Sequence, residues 1–190
     1  GYEQACNDKI DSLDFVAALS ANTVEAYKLY LDNHPKGLYT DQALQAQEKI
    51  DELTVKPEEE IQIEKLCETF FSSLATKNEE ILLSTVDNVM DNFLNKKNAT
   101  HSDIKTLSEK LAEGSSNPKT FIVNNDFNIH KSYESSGDLS YNVTFSVNGI
   151  NSDNQMVEKY AVNVIVGSNM KIKSLGMKHS ASNDTNKGQE

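Results

Sequence analysis

Leu139-Ser-Tyr-Asn-Val-Thr-Phe-Ser-Val147 is the most regular stretch of this sequence. Apolar and polar residues alternate throughout it, which is typical of a β-strand with one buried face and one face in water. The stretches 121–130, 156–166 and 170–177 alternate in the same way, and a shift of parity near Ser174 predicts a β-bulge there. The last third of the folded chain therefore predicts a sheet of about four strands.

Short turns between these stretches predict how the strands are joined. Residues 134–137 and 167–169 are rich in Ser, Gly and Asn and are short enough for hairpins, so neighbouring strands should be antiparallel. Between the second and third strands, the chain could reverse either at Asn148-Gly149 or in the polar segment 151–154.

The composition limits the classes of function. The chain has 190 residues and a formal net charge of -11, and all 18 of its basic residues are Lys. Nucleic acids require a basic surface, and anionic lipids repel an acidic one, so we expect neither nucleic-acid binding nor adsorption to such membranes. No apolar run has the length of a membrane span, so we also expect no direct insertion into a membrane.

Motifs that carry chemistry are missing from the sequence. It has no Gly-rich phosphate loop, no nucleophile elbow and no metal-ligand spacing of His and Cys, so we expect no metal and no cofactor. The acidic run after Pro57 is interpreted as a solvated helix start. Cys67 is interpreted as a buried small apolar residue, and a disulfide with Cys6 is the alternative if the protein is exported.

Three segments of the chain differ in pattern. Residues 1–55 predict a small all-α helical hairpin, residues 56–178 an α+β domain, and residues 179–190 a polar, disordered tail. The first helix is predicted to have one apolar face, formed by Ile10, Leu13, Val16 or Ala17, and Leu19.

An alanine-tyrosine helix that ends in a Pro-x-Gly-x-Tyr turn is the most distinctive feature of the first segment. The helix contains Ala26-Tyr27, and the turn is Pro35-Lys-Gly37-Leu-Tyr39. The passage from Asn22 to Ala43 resembles a single tetratricopeptide-like helical hairpin of bacterial envelope proteins. This resemblance implies a periplasmic or cell-envelope location. Repeat arrays need at least three units to bury their faces, so we expect structural or docking helices rather than a complete peptide groove.

The second segment also contains features that point to a known fold. They are Phe70-Phe71-x-x-Leu74 at the end of a long helix, Thr100-His-Ser-Asp103-Ile104 at the start of another, and strand pairs that end in Lys171-Ile172. With them, residues 58–178 resemble the nuclear-transport-factor-two-like fold, also called the cystatin-like cone or ketosteroid-isomerase-like superfamily. This resemblance implies a curved antiparallel sheet packed on helices. For residues 86–94, a helical turn, a short strand and an irregular edge all fit.

Enzymes of that fold place Asp, His or Tyr side chains inside the cone. Here the inward parity of the strands is almost wholly apolar, whereas His130 and Asn142 have the outward parity. A general base must reach its substrate with a tuned pKa, so we expect no catalytic residue. The resemblance instead implies a ligand-binding cone pocket rimmed by Phe71, Phe93, Phe127, Tyr141 and Tyr160.

These patterns favour a non-enzymatic binding or protein-interaction module, whose ligand is an unknown protein or a small apolar molecule. The alternative is an isomerase, dehydratase or hydrolase that uses the cone pocket on a small molecule. That alternative requires a cavity in which a buried carboxylate or histidine faces a tyrosine. In the fold that the chain resembles, the outer face of the sheet often serves dimerisation, so the resemblance implies a homodimer through the polar residues Asn128, His130, Asn142 and Thr144.

Overall fold

The structure is a computed structural model that describes residues 2–113, 120–151 and 155–180, without the side chains of 111–113 and 157. Contacts within the chain divide it into Gly1–Thr54, here called the helical unit, and Val55–Glu190, here called the sheet unit. The helical unit contains α1 (Tyr2–Ala21), α2 (Val24–Asn33) and α3 (Thr40–Leu53). The sheet unit contains α4 (Pro57–Thr76), α5 (Glu79–Ser84), β1 (Val89–Phe93), β2 (Lys96–Thr100), α6 (His101–Glu113), β3 (Thr120–Val123), β4 (Asn128–Tyr133), β5 (Leu139–Ile150), β6 (Met156–Gly167) and β7 (Ile172–His179).

The helical unit has its own apolar core. The buried residues come from all three helices and are Phe15, Ala18, Tyr27, Tyr30 and Ala43. The predicted apolar face of α1 is not the face that enters this core, since Ile10, Leu13, Val16 and Leu19 are all exposed. The inward row is Asp11, Phe15 and Ala18, which has only one large apolar side chain, so apolar periodicity favours the exposed face instead. The tetratricopeptide-like resemblance and the envelope location that it implies stay predictions.

A buried carboxylate on α1 holds the turn between α2 and α3. Asp11 accepts hydrogen bonds from the Tyr30 hydroxyl at 2.5 Å and from the Leu38 backbone N–H at 2.6 Å. Burial alone would raise the pKa of Asp11, but these two hydrogen bonds lower it below its ordinary value. Burial and the bond to Asp11 raise the pKa of Tyr30 to about 12. The carboxylate therefore remains charged, and its desolvation is offset by one donor from α2 and one from the turn.

Gly37 allows this turn to approach α1 closely. A Cβ atom at this position would lie 2.6 Å from the Tyr30 hydroxyl, 2.8 Å from an Asp11 carboxylate oxygen and 2.9 Å from the His34 Cβ atom. The His34 ring is itself held by Asp14, with 2.7 Å between Nε2 and Oδ2. The glycine of the Pro-x-Gly-x-Tyr turn is thus required by close packing.

The sheet unit contains seven strands among its described residues, and it confirms the α+β class. The strand order is β2-β1-β7-β6-β5-β3, with β4 also paired to β5. All neighbours are antiparallel except β1 and β7, which are parallel, so the sheet is mixed. In the described part of the chain, the sheet has three strands more than the predicted four, and β1 and β2 are two of the three. For residues 86–94, the strand alternative is therefore the correct one.

The predicted first strand is split into β3 and β4, which pair with different halves of β5. Asp126 lies in the break, where its carboxylate accepts hydrogen bonds from the Ser146 backbone N–H at 2.8 Å and the Ser146 hydroxyl at 2.7 Å. The Asn124 side chain donates to the same hydroxyl at 2.7 Å. The Asp126 carboxylate thus provides the acceptor for the Ser146 backbone N–H of β5 at the break.

The later strands agree closely with the alternation in the sequence. The register between β6 and β7 shifts next to Ser174, which confirms the predicted bulge. β5 continues through Gly149 to Ile150, so the chain reverses in the later segment, of which residues 152–154 lie outside the described residues. β7 extends through His179, so the prediction that this residue belongs to a disordered tail is wrong. Residues 181–190 of that predicted tail lie outside the described residues.

The core of the sheet unit lies between the inner face of the sheet and the helices. Helix α4 contributes its buried row of Ile63, Cys67, Phe70, Phe71 and Leu74. Opposite this row are Val143, Val147, Val164 and Val166, which have the inward parity of β5 and β6. Cys67 is fully buried, as predicted, and both cysteines are free thiols. Among the described residues, no helix is both long and apolar enough to cross a membrane.

Substitution of Gly37 by Ala tests the close packing of the helical unit. We expect Gly37→Ala to lower the free energy of unfolding of this unit by about 1 to 3 kcal/mol, because the new methyl group overlaps three atoms. Amide hydrogen exchange in α1–α3 should report the loss as faster exchange. Gly176→Ala is the control, because its Cβ would lie 3.9 Å from the nearest atom. Equal exchange rates in the two variants would contradict the proposed role of Gly37.

Candidate functional site

The five predicted ligand-binding residues are distributed through the sheet unit. Phe71, Phe93 and Tyr141 are buried in the core, while Phe127 and Tyr160 are half-buried. Phe71 packs against Phe145 with 5.9 Å between ring centroids, and Phe127 packs against the same ring at 4.7 Å. Of the five, the structure places Tyr160 at a cavity on the inner side of the sheet.

This cavity has a volume of about 230 Å³ and is here called the mouth cavity. It lies between the last turn of α4, the β1–β2 turn, α6 and the ends of β3, β6 and β7. Five of its lining residues are apolar and three are polar. They are Leu74, Leu94, Asn95, Leu107, Phe121, Tyr160, Met177 and His179.

Tyr160 and His179 are two of the three polar residues that line the mouth cavity, and Asn95 is the third. Tyr160 and His179 are directly opposite each other in the register of β6 and β7, with ring centroids 4.9 Å apart. The Tyr160 ring also lies 6.4 Å from the ring of Phe121, which is one of the apolar lining residues. His179 is exposed. The cavity thus combines apolar surface with an adjacent phenol and imidazole that can both form hydrogen bonds.

His179 is the residue of this site that the sequence interpretation missed. Leu175, Met177 and His179 share one parity, so extending the alternation of the last strand by two residues would have placed His179 on the inner face. The apolar side chains of this strand end at Met177, so the sequence interpretation ended the strand there.

The chemistry that the mouth cavity offers is mainly that of binding. None of its described lining residues is Asp or Glu, so it provides no carboxylate to orient the imidazole or to share its proton. A cavity with apolar walls and a small number of polar groups is typical of a small-molecule binding site.

Tyr141, another of the predicted site residues, belongs to a structural cluster. Its hydroxyl donates to Glu59 Oε1 at 2.8 Å, and Lys131 Nζ donates to the same oxygen at 2.8 Å. The Lys131 ammonium group also lies 5.5 Å from the centroid of the Tyr141 ring. The other carboxylate oxygen of Glu59 accepts from the Lys56 backbone N–H at 2.9 Å. The cluster therefore joins the start of α4 to β4 and β5.

The charge of Glu59 is stabilised by this cluster. Burial alone would raise the pKa of its carboxyl group, but hydrogen bonds from Lys131, the Lys56 backbone and Tyr141 lower it below the ordinary value. The Lys131 side chain is only 8% exposed, so its charge depends on Glu59 as a counter-charge. The acidic run at the start of α4 therefore contains one structural residue between two exposed ones, Glu58 and Glu60. No group of metal-binding residues occurs among the residues that the structure describes.

The outer face of the sheet carries the four polar residues predicted for dimerisation. The register pairs Asn128 with Thr144 and His130 with Asn142, so all four side chains lie on one face. Beside them is a shallow depression of about 460 Å³, where Ala161 and Gly176 leave little side-chain volume. This face is separate from the mouth cavity, and the dimer remains a prediction.

Known structures support the fold. No protein-family model and no curated protein matches the chain. A protein of unknown function with a cystatin-like fold from Nostoc punctiforme is similar to it, with 16% identity and a TM-score of 0.52 over 68% of this chain and 97% of that one. A SnoaL-like family protein from Agrobacterium tumefaciens has 10% identity, a TM-score of 0.49 and coverages of 64% and 99%. An NTF2-like protein of unknown function from Exiguobacterium has 13% identity, a TM-score of 0.43 and coverages of 63% and 99%. The first similarity shows a cystatin-like fold in this chain, as the sequence resemblance implied.

Substitution of Glu59 by Gln tests the structural role of its cluster. At about pH 7 we expect Glu59→Gln to lower the free energy of unfolding by about 3 kcal/mol, because it leaves the Lys131 ammonium group buried without its counter-charge. Glu58→Gln, which neutralises an exposed carboxylate in the same turn, is the control. Urea unfolding followed by circular dichroism measures both.

The effect of Glu59→Gln should depend on pH. Because the folded-state pKa of Glu59 is lowered, its stabilisation is complete above the unfolded pKa, about 4.3, and is lost as the pH falls through the folded value. The difference between the wild type and the variant should therefore shrink below about pH 4. A difference that stays constant down to about pH 3 would show that charge is not the source of the stabilisation.

Proposed function

We propose that the sheet unit is a non-enzymatic binding domain that holds a small, mostly apolar molecule with one polar group in the mouth cavity. The observation that carries this proposal is the composition of the cavity lining. Leu74, Leu107 and Met177 provide apolar surface, while Tyr160 and His179 place two hydrogen-bonding groups next to each other. The apolar part of the ligand would be desolvated by the walls, and its polar group would be oriented by the phenol and the imidazole.

The volume of the mouth cavity limits the size of the ligand. At about 230 Å³, it lies just below the usual range for drug-sized ligands, about 300 to 1,000 Å³. A bicyclic ketone or alcohol is therefore a better candidate than a polycyclic molecule. Ligands of this size gain limited binding energy, so we expect a Kd of about 0.1 to 1 mM for an unoptimised probe.

The bicyclic ketone 2-tetralone and its parent hydrocarbon tetralin form a matched pair of probes. In ligand-observed NMR, both should bind the wild-type protein, and Leu107→Trp should weaken both at least about tenfold by filling the cavity. Tyr160→Phe should weaken the ketone roughly fivefold and leave the hydrocarbon unchanged, because it removes one hydrogen bond of about 1 kcal/mol. Ile122→Trp is the control, since Ile122 is an exposed strand residue that does not line the cavity.

Two results would contradict the binding proposal. One is the absence of binding by both probes at millimolar concentrations. The other is equal binding by the wild type and Leu107→Trp, which would place the probes elsewhere on the protein.

An enzymatic role is the second candidate, and the pair of His179 and Tyr160 is the observation that favours it. An imidazole beside a phenol could remove a proton next to a ligand carbonyl group. The same NMR samples test this role in D2O, where the α-protons of 2-tetralone would exchange faster with wild-type protein than with His179→Gln. Exchange at the same rate with both proteins would leave binding as the function.

The outer face of the sheet is the second surface to which we assign a role, that of pairing with a second copy of the chain. Its small and polar side chains, with the depression at Ala161 and Gly176, support close contact between two such faces. Light scattering should give the mass of a dimer, and Asn163→Glu, which adds a charge to the centre of this face, should give a monomer. Ser102→Glu, on the exposed surface of α6, should remain dimeric. A wild-type protein that is monomeric at high concentration would contradict this proposal.

A further inference from the structure

Helix α1 of the helical unit packs one face into the core and leaves apolar side chains exposed on the opposite side. Asp11, Phe15 and Ala18 point into the core. On the opposite side, Ile10 is 52% exposed and Leu13 is 61% exposed, and the same apolar surface continues through Val16 and Leu19. An apolar patch of this kind on a soluble protein usually marks an interaction site.

A groove between α1 and α2 extends this apolar surface. It has a volume of about 270 Å³ and is lined by Asp14, Ala17, Ala18, Ala26, Leu29, Tyr30 and Asn33. Its three alanines make a shallow floor, and Leu29, which is 63% exposed, forms one wall. Leu13 is four residues before Ala17 and therefore adjoins the groove on the surface of α1. We call the groove together with Ile10 and Leu13 the α1–α2 surface.

Carboxylates border the α1–α2 surface on both helices. On α1, the Asp14 side chain lines the groove and is 46% exposed, although it also contacts His34. On α2, Glu25 and Asp32 are exposed and lie four residues before and three residues after Leu29, so they flank its side chain. The basic residues of the two helices are Lys9 and Lys28. The helical unit as a whole has ten Asp and Glu residues against four Lys.

We propose that the α1–α2 surface binds an amphipathic helix of a partner protein that carries Lys or Arg on both sides of its apolar row. The groove between two helices accepts the ridge of a third, and its alanine floor lets large apolar side chains of that helix enter. The bordering carboxylates select basic flanks on the partner. A second copy of the chain would place the same acidic borders against each other, and an anionic lipid surface would be repelled.

Dye-labelled synthetic peptides of about five helical turns test this proposal against the full chain by fluorescence anisotropy. One peptide has a row of Leu with Lys on both sides, a second has the same row with Glu, and a third has the composition of the first in scrambled order. We expect the first peptide to bind at least about tenfold more tightly than either of the others.

Leu13→Glu and Leu29→Glu distinguish apolar docking from simple charge attraction. Each adds a negative charge, which alone would strengthen the binding of a basic peptide, so at least about tenfold weaker binding shows an apolar contact. Leu44→Glu, at an exposed position of α3 outside the groove, is the matched control and should bind as the wild type does. Circular dichroism confirms that the variants are folded, which is expected because both leucines are exposed.

Several outcomes would overturn the proposal. They are binding of the scrambled peptide as tight as that of the first, equal binding of the Glu-flanked peptide, and unchanged binding to Leu13→Glu and Leu29→Glu. A dimer of the wild-type chain that Leu13→Glu dissociates would assign the surface to a second copy instead. Because the mouth cavity is tested with other probes, none of these results affects the binding role of the sheet unit.

Discussion

The pairing of β5 with β6 is the interaction on which the sheet unit depends. The two strands stay in register from Ser140 and Gly167 to Gly149 and Glu158, so every residue along them has a fixed face. Because side chains alternate across a strand, this register sends Val143 and Val164 to the core and Thr144 and Asn163 to the solvent. The inner face, the mouth cavity and the outer face are all consequences of this one ladder.

Three carboxylates connect parts of the structure that are distant in the chain. Asp11 binds the α2–α3 turn, Glu59 joins a helix start to the sheet, and Asp126 bridges the break between β3 and β4. Each carboxylate loses contacts with water and accepts hydrogen bonds from at least two protein donors instead. These hydrogen bonds offset much of the cost of desolvation. In a chain with a net charge of -11, these carboxylates are structural, while most of the other acids form a solvated surface.

The surfaces of the two units suit different kinds of ligand. The mouth cavity is small and largely apolar with a few polar groups, which suits the small molecule proposed for it. The α1–α2 surface is a groove between two helices that is bordered by acids, which suits the basic helix proposed for it.

The sequence by itself determined the fold class, the long strands, the bulge near Ser174 and the wet and dry faces of the sheet. These features follow from alternation, which is a local property that depends on the period of two in a strand. The sequence could not determine which face of α1 is buried, because the exposed face is the more apolar one and only the packing of Phe15 against Tyr30 and Tyr39 identifies the buried face.

The candidate site depended still more on tertiary structure. Tyr160 was found from its parity, but His179 joins it only because β7 continues beside β6 to its end. Phe71, Phe93 and Tyr141 were predicted at a pocket rim, yet all three are buried in the core, and the Tyr141 hydroxyl donates to Glu59. Which aromatic side chains line a cavity and which fill the core is decided by contacts between distant elements, and the pattern of residues along a strand does not contain those contacts.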